Sequence, residues 1–274
     1  MIPQRTSSLA TYVEELASSG RTCFTREEAV EALGVSHGAL LDAAARLKRR
    51  GHIFAPRRGF YVITPTRYLK WGAPPPTWYV DAMMKDAGRP YYVALLKAAE
   101  LHGASHQAVM EFQVVTDRQW KPIRAGRSKL AFYFRKDIEH VGQGVKQRKT
   151  DTGSMRVASP ALTALDLIRY PQASGGVDHA ASVLNELAVH IDPIEFDALA
   201  PSFERSVVQR LGYILEHLGH DEIAFGLERH IRTGNVPWVE LDPREASAVT
   251  SHDEQERNVR WHIIVRRPIE VDEQ

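Results

Sequence analysis

The sequence predicts a mixed α+β protein with a small N-terminal module and a larger second domain that becomes helical towards its C-terminus. Three observations predict this class. Apolar residues recur at helical spacing, with capping residues, up to residue 50. Two short β-rich runs then flank the turn Pro-Arg-Arg-Gly. Further β-rich runs at 108–116 and 129–136 lie between helical patterns, which is typical of α+β domains.

Length and composition are those of an ordinary globular protein. The chain has 274 residues, of which 43% are hydrophobic and 25% charged, enough for about two domains. Cys23 is the single cysteine, so no internal disulfide is possible. No apolar run is long enough for a membrane span, and the N-terminus has no apolar signal core. We therefore expect a soluble, cytoplasmic protein.

The net charge of +1 conceals two basic segments. The segment from 46 to 70 holds eight Lys and Arg residues and no acid. The segment from 118 to 149 holds ten against Asp137 and Glu139, whereas acids dominate after Glu240. A single basic run is usually a solvated surface, but two such runs favour a polyanionic partner.

The first 51 residues predict three helices. An apolar stripe (Leu9, Tyr12, Val13, Leu16) marks the first. Thr25 and Glu28 form a capping-box pattern for the second, which Gly34 ends. Ser36 caps the third, whose inner stripe is Leu40, Ala44 and Leu47. Two helices joined by a short turn that contains glycine indicate a helix-turn-helix.

A basic hairpin follows the third helix. The runs HIFA and GFYVI read as strands joined by Pro56-Arg57-Arg58-Gly59, so the module is predicted to be a winged helix-turn-helix. The third helix would enter the major groove of DNA, and the wing would lie over the minor groove or the backbone. The predicted DNA contacts are Thr25, Arg26, Ser36, His37, Asp42, Arg46, Arg49, Arg57 and Arg58. Ser36 also has a capping role, and winged helices bind proteins as well, so a docking role stays open.

The remaining chain predicts three further segments. The predicted boundaries are a winged-helix domain at 1–69, a proline-rich linker at 70–80, a second domain at 81–235 and an extension at 236–274. The prolines of KWGAPPPTW are expected to hold the linker extended. Helices are predicted at 78–88 and 91–103, followed by the two β-rich runs. MRVASPALTALDLIRY reads as a strand, a Ser-Pro turn and a helix, and three more helices follow. WHIIVRR is a candidate last strand, or a segment that binds a neighbouring molecule.

Four stretches resemble the AbiEi-type antitoxins of bacterial type IV toxin–antitoxin systems. They are the winged-helix segment ending RRGFYVI, then YYVALLKAAELHGASHQAVMEFQVVT, then RVASPALTALDLIRYPQASGG, then VVQRLGYILEHLG. Their order and spacing both fit, from about residue 10 to about residue 220. The segment after 235 has no matching counterpart.

The resemblance implies two roles. The winged helix would bind inverted repeats in its own promoter and repress the operon. The second domain would counteract a nucleotidyltransferase-like (AbiEii-like) toxin, with or without direct contact. The basic segment matches the positive surface expected of that domain, with candidate residues Arg118, Lys121, Arg124, Arg127, Lys129, Arg135 and Lys136.

No catalytic, metal or cofactor site is predicted. His102 and His106 have metal-ligand spacing, but no acid follows His102. Glu111 and Asp117 superficially resemble a Mg²⁺ pair, so a Mg²⁺-dependent nuclease targeted by the winged helix is the alternative function. A protein-interaction scaffold is the third. Cys23 has no evident base beside it and is expected to pack.

Overall fold

The structure, a computed structural model, describes residues 8–104, 109–232, 234–244 and 256–271. The chain divides into two compact units. The first unit comprises 1–91, 110–136 and 147–156, and the second comprises 92–109, 137–146 and 157–274. No helix within the described ranges is long and apolar enough to cross a membrane.

The described helices and strands follow in chain order. The helices are α1 (Leu9–Ser18), α2 (Arg26–Leu33), α3 (His37–Arg49), α4 (Val80–Asp86), α5 (Leu95–Leu101), α6 (Pro160–Arg169), α7 (Val177–Leu187), α8 (Pro193–Leu199), α9 (Arg205–His217) and α10 (Asp221–Ile231). The strands are β1 (Cys23–Thr25), β2 (Ile53–Arg57), β3 (Phe60–Ile63), β4 (Tyr91–Val93), β5 (Glu111–Thr116), β6 (Ile123–Ala125), β7 (Ser128–Phe134), β8 (Val145–Thr150), β9 (Gly153–Ala158), β10 (Val239–Glu240), β11 (Glu256–Asn258) and β12 (Ile263–Val265).

The first unit begins with a winged helix, as the sequence predicts. α1, α2 and α3 start at the side-chain caps Ser8, Thr25 and Ser36, and Thr25 forms the predicted capping box with Glu28. The apolar stripes of the three helices meet in one core with Phe24, Ile53 and Tyr61. β1 adds a third strand in the order β1-β3-β2, and it was not predicted. Three residues are too few to show an alternating pattern.

The rest of the first unit contains the predicted β-rich runs. β5 is parallel to β7, and β6 is antiparallel to β7. The proline-rich segment is not extended: 66–71 and 76–78 are short 3₁₀ helices, and Trp78 is buried. Gly126, in the turn between β6 and β7, lies against the backbone of Trp71, where a Cβ would be 1.8 Å from the Trp71 carbonyl oxygen.

The second unit is mainly helical. The predicted helix at 91–103 is wrong at its start, because Tyr91–Val93 is the strand β4, which pairs with β9 between Val93 and Val157. The turn into α5 places the buried Leu95 at a positive φ of 56°. The predicted strand, Ser-Pro turn and helix of 155–170 is confirmed as β9 and α6, with Ser159 as cap. α6 packs against α5, α7, α8 and α9.

The described C-terminal residues of the second unit lie around α9. α10 was not predicted and packs on α9. β10, β12 and β11 form a small sheet in that order, which confirms the candidate strand in WHIIVRR as β12. Trp261 is fully buried, and its indole nitrogen donates to Glu216 Oε2 over 2.6 Å.

Candidate nucleic-acid interface

The exposed face of α3 carries most of the predicted DNA contacts. His37, Asp42, Arg46 and Arg49 are all exposed, while Leu40, Ala44 and Leu47 turn into the core. Within the described residues the guanidinium groups of Arg46 and Arg49 have no hydrogen-bond or ion-pair partner. A Cβ at Gly38 would meet no atom within 4 Å, and glycine has no side chain that could keep a ligand away from the N-terminal end of this face. The face can approach a groove without losing internal contacts.

Side chains at the two helix N-termini are partly committed to capping. Ser36 Oγ accepts from the Ala39 amide over 3.2 Å, and Thr25 Oγ1 accepts from Glu28 over 3.1 Å. Arg26 donates to Glu27 Oε1 over 2.7 Å, which holds the pKa of the Glu27 carboxyl below its usual range. Thr25 and Arg26 are therefore half-buried or paired, unlike the cations of α3.

The wing is tighter than the sequence suggested. β2 extends to Arg57, so the turn consists of Arg58 and Gly59, with Gly59 at a φ of 82°. The register of β2 against β3 shifts between Phe54 and Arg57. Arg58 is exposed at the tip, whereas Arg57 is ion-paired with Asp86 of α4. The two wing arginines therefore have different surroundings.

The predicted basic surface at 118–136 lies in the first unit, together with the winged helix. Five of its members are exposed: Arg118, Lys121, Arg124, Arg127 and Lys136. Arg127 lies over the Trp71 ring, 5.4 Å from its centroid, and Lys129 is ion-paired with Glu111. Arg135 departs from the prediction, since it is only 2% exposed and contributes no surface charge. Its position directly after β7 turns it inward, and strand alternation alone did not reveal this.

Glu111 and Asp117, the carboxylates of the alternative nuclease function, do not lie close enough together to share a Mg²⁺ ion. Glu111 begins β5 and Asp117 directly follows its end, so the backbone separates them by about 20 Å at 3.3 Å per residue. Each is paired with a cation, Glu111 with Lys129 and Asp117 with Arg89. No group of three His, Cys, Asp or Glu residues suited to a metal was found in the described ranges.

The other candidates, the histidine pair His102 and His106 and the thiol of Cys23, give no support to a catalytic or metal site. His102 Nε2 is 2.7 Å from the Ala158 carbonyl oxygen, and His106 lies outside the described residues. Burial raises the pKa of the Cys23 thiol, which keeps it protonated near neutral pH. A protonated thiol is a poor nucleophile, so Cys23 gives no support to covalent chemistry.

Sequence reasoning missed two side chains near the wing. Arg89 pairs with Asp117 over 3.2 Å, and Trp120 packs against Phe132 with ring centroids 5.1 Å apart. Arg57, Arg89, Arg118, Trp120 and Lys121 line one cleft. These residues come from separate stretches of the chain, so no local pattern could have grouped them.

Comparisons with known proteins agree with this architecture. A crystal structure of the RV2827C protein from Mycobacterium tuberculosis matches with a TM-score of 0.64 at 15% identity, over 97% of this chain and 92% of that one. At this identity the likeness establishes the fold alone. No curated protein matches. The family model described as "AbiEi antitoxin C-terminal domain" matches residues 92–217, and that described as "Transcriptional regulator, AbiEi antitoxin" matches 12–64. The chain therefore belongs to the AbiEi family of antitoxins and transcriptional regulators.

Proposed function

We propose that this protein is a DNA-binding autorepressor that binds inverted repeats in its own promoter, and an antitoxin that counteracts a nucleotidyltransferase-like toxin. The observation that carries the DNA-binding part is the row of exposed, unpartnered cations Arg46, Arg49 and Arg58 on the described surface of a winged helix. Helix and wing cations of this kind bind phosphates and base edges.

The α3 face has residues suited to both affinity and sequence selection. Arg46 and Arg49 lie near the C-terminal end of α3, where they reach phosphate or guanine edges. Asp42 lies one turn earlier and has no cation partner among the described residues, so its carboxylate is available to accept from a cytosine amino group. An acid at this position disfavours purely non-specific binding to phosphates. The face thus supports recognition of a particular sequence.

The antitoxin part of the proposal is supported by the family match over 92–217. The proposed partner is an AbiEii-like toxin, which the protein counteracts with or without a stable complex. The exposed cations at 118–136 remain the proposed antitoxin surface, without the buried Arg135. Their place in the same compact unit as the winged helix makes it necessary to test repression and rescue separately.

The deciding experiment measures binding of the purified protein to the duplex upstream of its own gene and to a scrambled duplex. If each of two copies on an inverted repeat makes three phosphate contacts, affinity falls about a thousandfold between about 50 and 200 mM salt. Tight, salt-sensitive binding that prefers the upstream duplex supports the repressor. Weak binding without preference rejects it and favours the scaffold, whereas EDTA-sensitive cleavage of the duplex would favour the nuclease.

Autorepression and rescue need their own readouts. A reporter fused to the upstream DNA should lose expression when the protein is supplied, and a reporter behind an unrelated promoter should not. Co-expression of the protein with an AbiEii-like toxin should restore the growth of cells that the toxin alone inhibits. Restored growth without repression, or the reverse, would reject one half of the proposal and leave the other standing.

A further inference from the structure

A cleft of about 660 Å³ lies beside the wing, entirely within the first unit. Its rim and walls come from the end of β2, the residues after α4 and the segment between β5 and β6. A volume between about 300 and 1,000 Å³ is typical of small-molecule and cofactor sites. The helix-turn-helix does not contribute to it, so the cleft is a separate feature of the surface.

Four cations line the cleft: Arg57, Arg89, Arg118 and Lys121. Two of them are held by carboxylates, Arg57 by Asp86 and Arg89 by Asp117. Arg118 and Lys121 are exposed and have no acidic partner within the described part of the chain. The cleft therefore has an excess of positive charge, which favours an anionic ligand.

The remaining lining consists of the polar Gln119 and of apolar residues, among them one large aromatic ring. Trp120 is half-buried and packs its ring against Phe132, which fixes its orientation. Pro56, Ala87, Pro122 and Ile123 supply further apolar wall. An indole held in the same cleft as Arg118 and Lys121 offers a face on which a nucleobase can stack.

We propose that this cleft binds a nucleoside phosphate, with the phosphates on Arg118 and Lys121 and the base on Trp120. Inorganic phosphate alone would leave most of the 660 Å³ and the indole face unused. Arg57 and Arg89, each ion-paired with a carboxylate, border the same space. This ligand chemistry is available from a free nucleotide or from a nucleotide unit of a nucleic acid, and the experiment separates the two. The proposal does not depend on operator binding.

The test follows the indole N–H signals of the five tryptophans by NMR in the full chain, with Trp120 assigned by its loss in Trp120→Phe. ATP and GTP are titrated separately, with adenosine and inorganic phosphate as partial ligands. We expect the nucleotides to shift the Trp120 signal and to bind about tenfold more tightly than either partial ligand, because adenosine lacks the charged phosphate contacts and inorganic phosphate lacks the stacked base.

Matched variants locate the site. Arg118→Ala combined with Lys121→Ala should weaken nucleotide binding at least about tenfold, because two charged contacts are lost. Arg46→Ala combined with Arg49→Ala removes the same charge from α3, outside the cleft, and should leave nucleotide binding unchanged. All four side chains are exposed and unpartnered in the described surface, so both variants are expected to fold.

Three results would overturn the proposal. They are no Trp120 shift with either nucleotide, equal weakening by the cleft and α3 variants, or inorganic phosphate binding as tightly as ATP. A Trp120 shift that appears only with operator duplex would assign the cleft to the DNA backbone and not to a free nucleotide. Failure of operator binding, in contrast, would reject the proposed repressor without affecting these titrations.

Discussion

The guanidinium group of Arg57, at the end of β2, is ion-paired with the carboxylate of Asp86, at the end of α4. The neighbouring Arg58 is exposed in the turn and has no such partner among the described residues. The two adjacent arginines of the wing therefore differ in the free energy that contact with a DNA phosphate costs. Arg58 loses only its bound water, whereas Arg57 must also weaken its ion pair with Asp86.

The first prediction concerns Arg58. Arg58→Ala should weaken operator binding and flatten the slope of log affinity against log salt by about 0.9 for the lost phosphate contact. Arg57→Ala should have a smaller effect on both, since part of its charge is already compensated by Asp86. Lys85→Ala, which removes an exposed cation from α4, serves as control. Equal slopes for wild type and Arg58→Ala would remove the wing tip from the interface.

The second prediction concerns Asp86. Asp86→Asn removes the counter-charge from Arg57 and should strengthen operator binding several-fold, with a salt slope steeper by about one contact. Fluorescence anisotropy at several salt concentrations measures both quantities. The gain should vanish in the Asp86→Asn, Arg57→Ala double variant, as a double-mutant cycle requires. A gain that persists there would mean that Asp86 acts by general repulsion of DNA.

The third prediction separates affinity from sequence selection on α3. Arg49→Ala should weaken binding to operator and scrambled duplex alike, if it contacts phosphate. Asp42→Ala should instead reduce the difference in binding free energy between the operator and an operator changed at one base pair. The expected reduction is about 1–3 kcal/mol. Binding to a panel of single-base operator variants measures this. An unchanged selectivity profile would show that Asp42 does not read a base.

The fourth prediction concerns the exposed part of the basic segment. Neutralising Arg118, Lys121 and Arg124 together should impair rescue from the toxin but spare repression of the promoter. The readouts are growth with the co-expressed toxin and a promoter reporter in the same strain. Arg46→Ala with Arg49→Ala is the reciprocal control and should impair repression alone. Lost repression with intact rescue in the triple variant would show that the two roles are assigned the wrong way round.

The fifth prediction concerns stability of the second unit. Gly212 of α9 faces the ring of Trp261, where an added Cβ would lie 2.0 Å from a ring carbon. Gly212→Ala should therefore lower the free energy of unfolding by about 1–3 kcal/mol, because the buried indole must shift. Urea unfolding monitored by circular dichroism measures the change.

Gly226 in α10 is the matched control for Gly212. A Cβ there would meet no atom within 4 Å, so Gly226→Ala should raise the free energy of unfolding by about 0.5–1 kcal/mol through helix propensity. Destabilisation by both substitutions would indicate a general intolerance of these helices. Stabilisation by both would contradict the close contact with Trp261.

Features that depend on neighbouring residues could be predicted from the sequence. The capping box of Thr25 and Glu28, the Ser36 cap of α3, and the Ser-Pro start of α6 all form as predicted. Each is a contact between residues a few positions apart, so the local pattern carries the information. Helical spacing likewise identified the inner face of α3 and, by exclusion, its exposed cations.

The sequence by itself determined the fold class, the family and the residues that form the candidate DNA-binding face. The tertiary structure alone decided which of those charges are available. It paired Arg57 with Asp86, 29 positions away, buried Arg135, and brought Arg57 and Arg89 to the same cleft as Trp120. It also seated Trp261 against Gly212. Such contacts join segments that are far apart in the chain, and composition and periodicity cannot predict which of these segments come into contact.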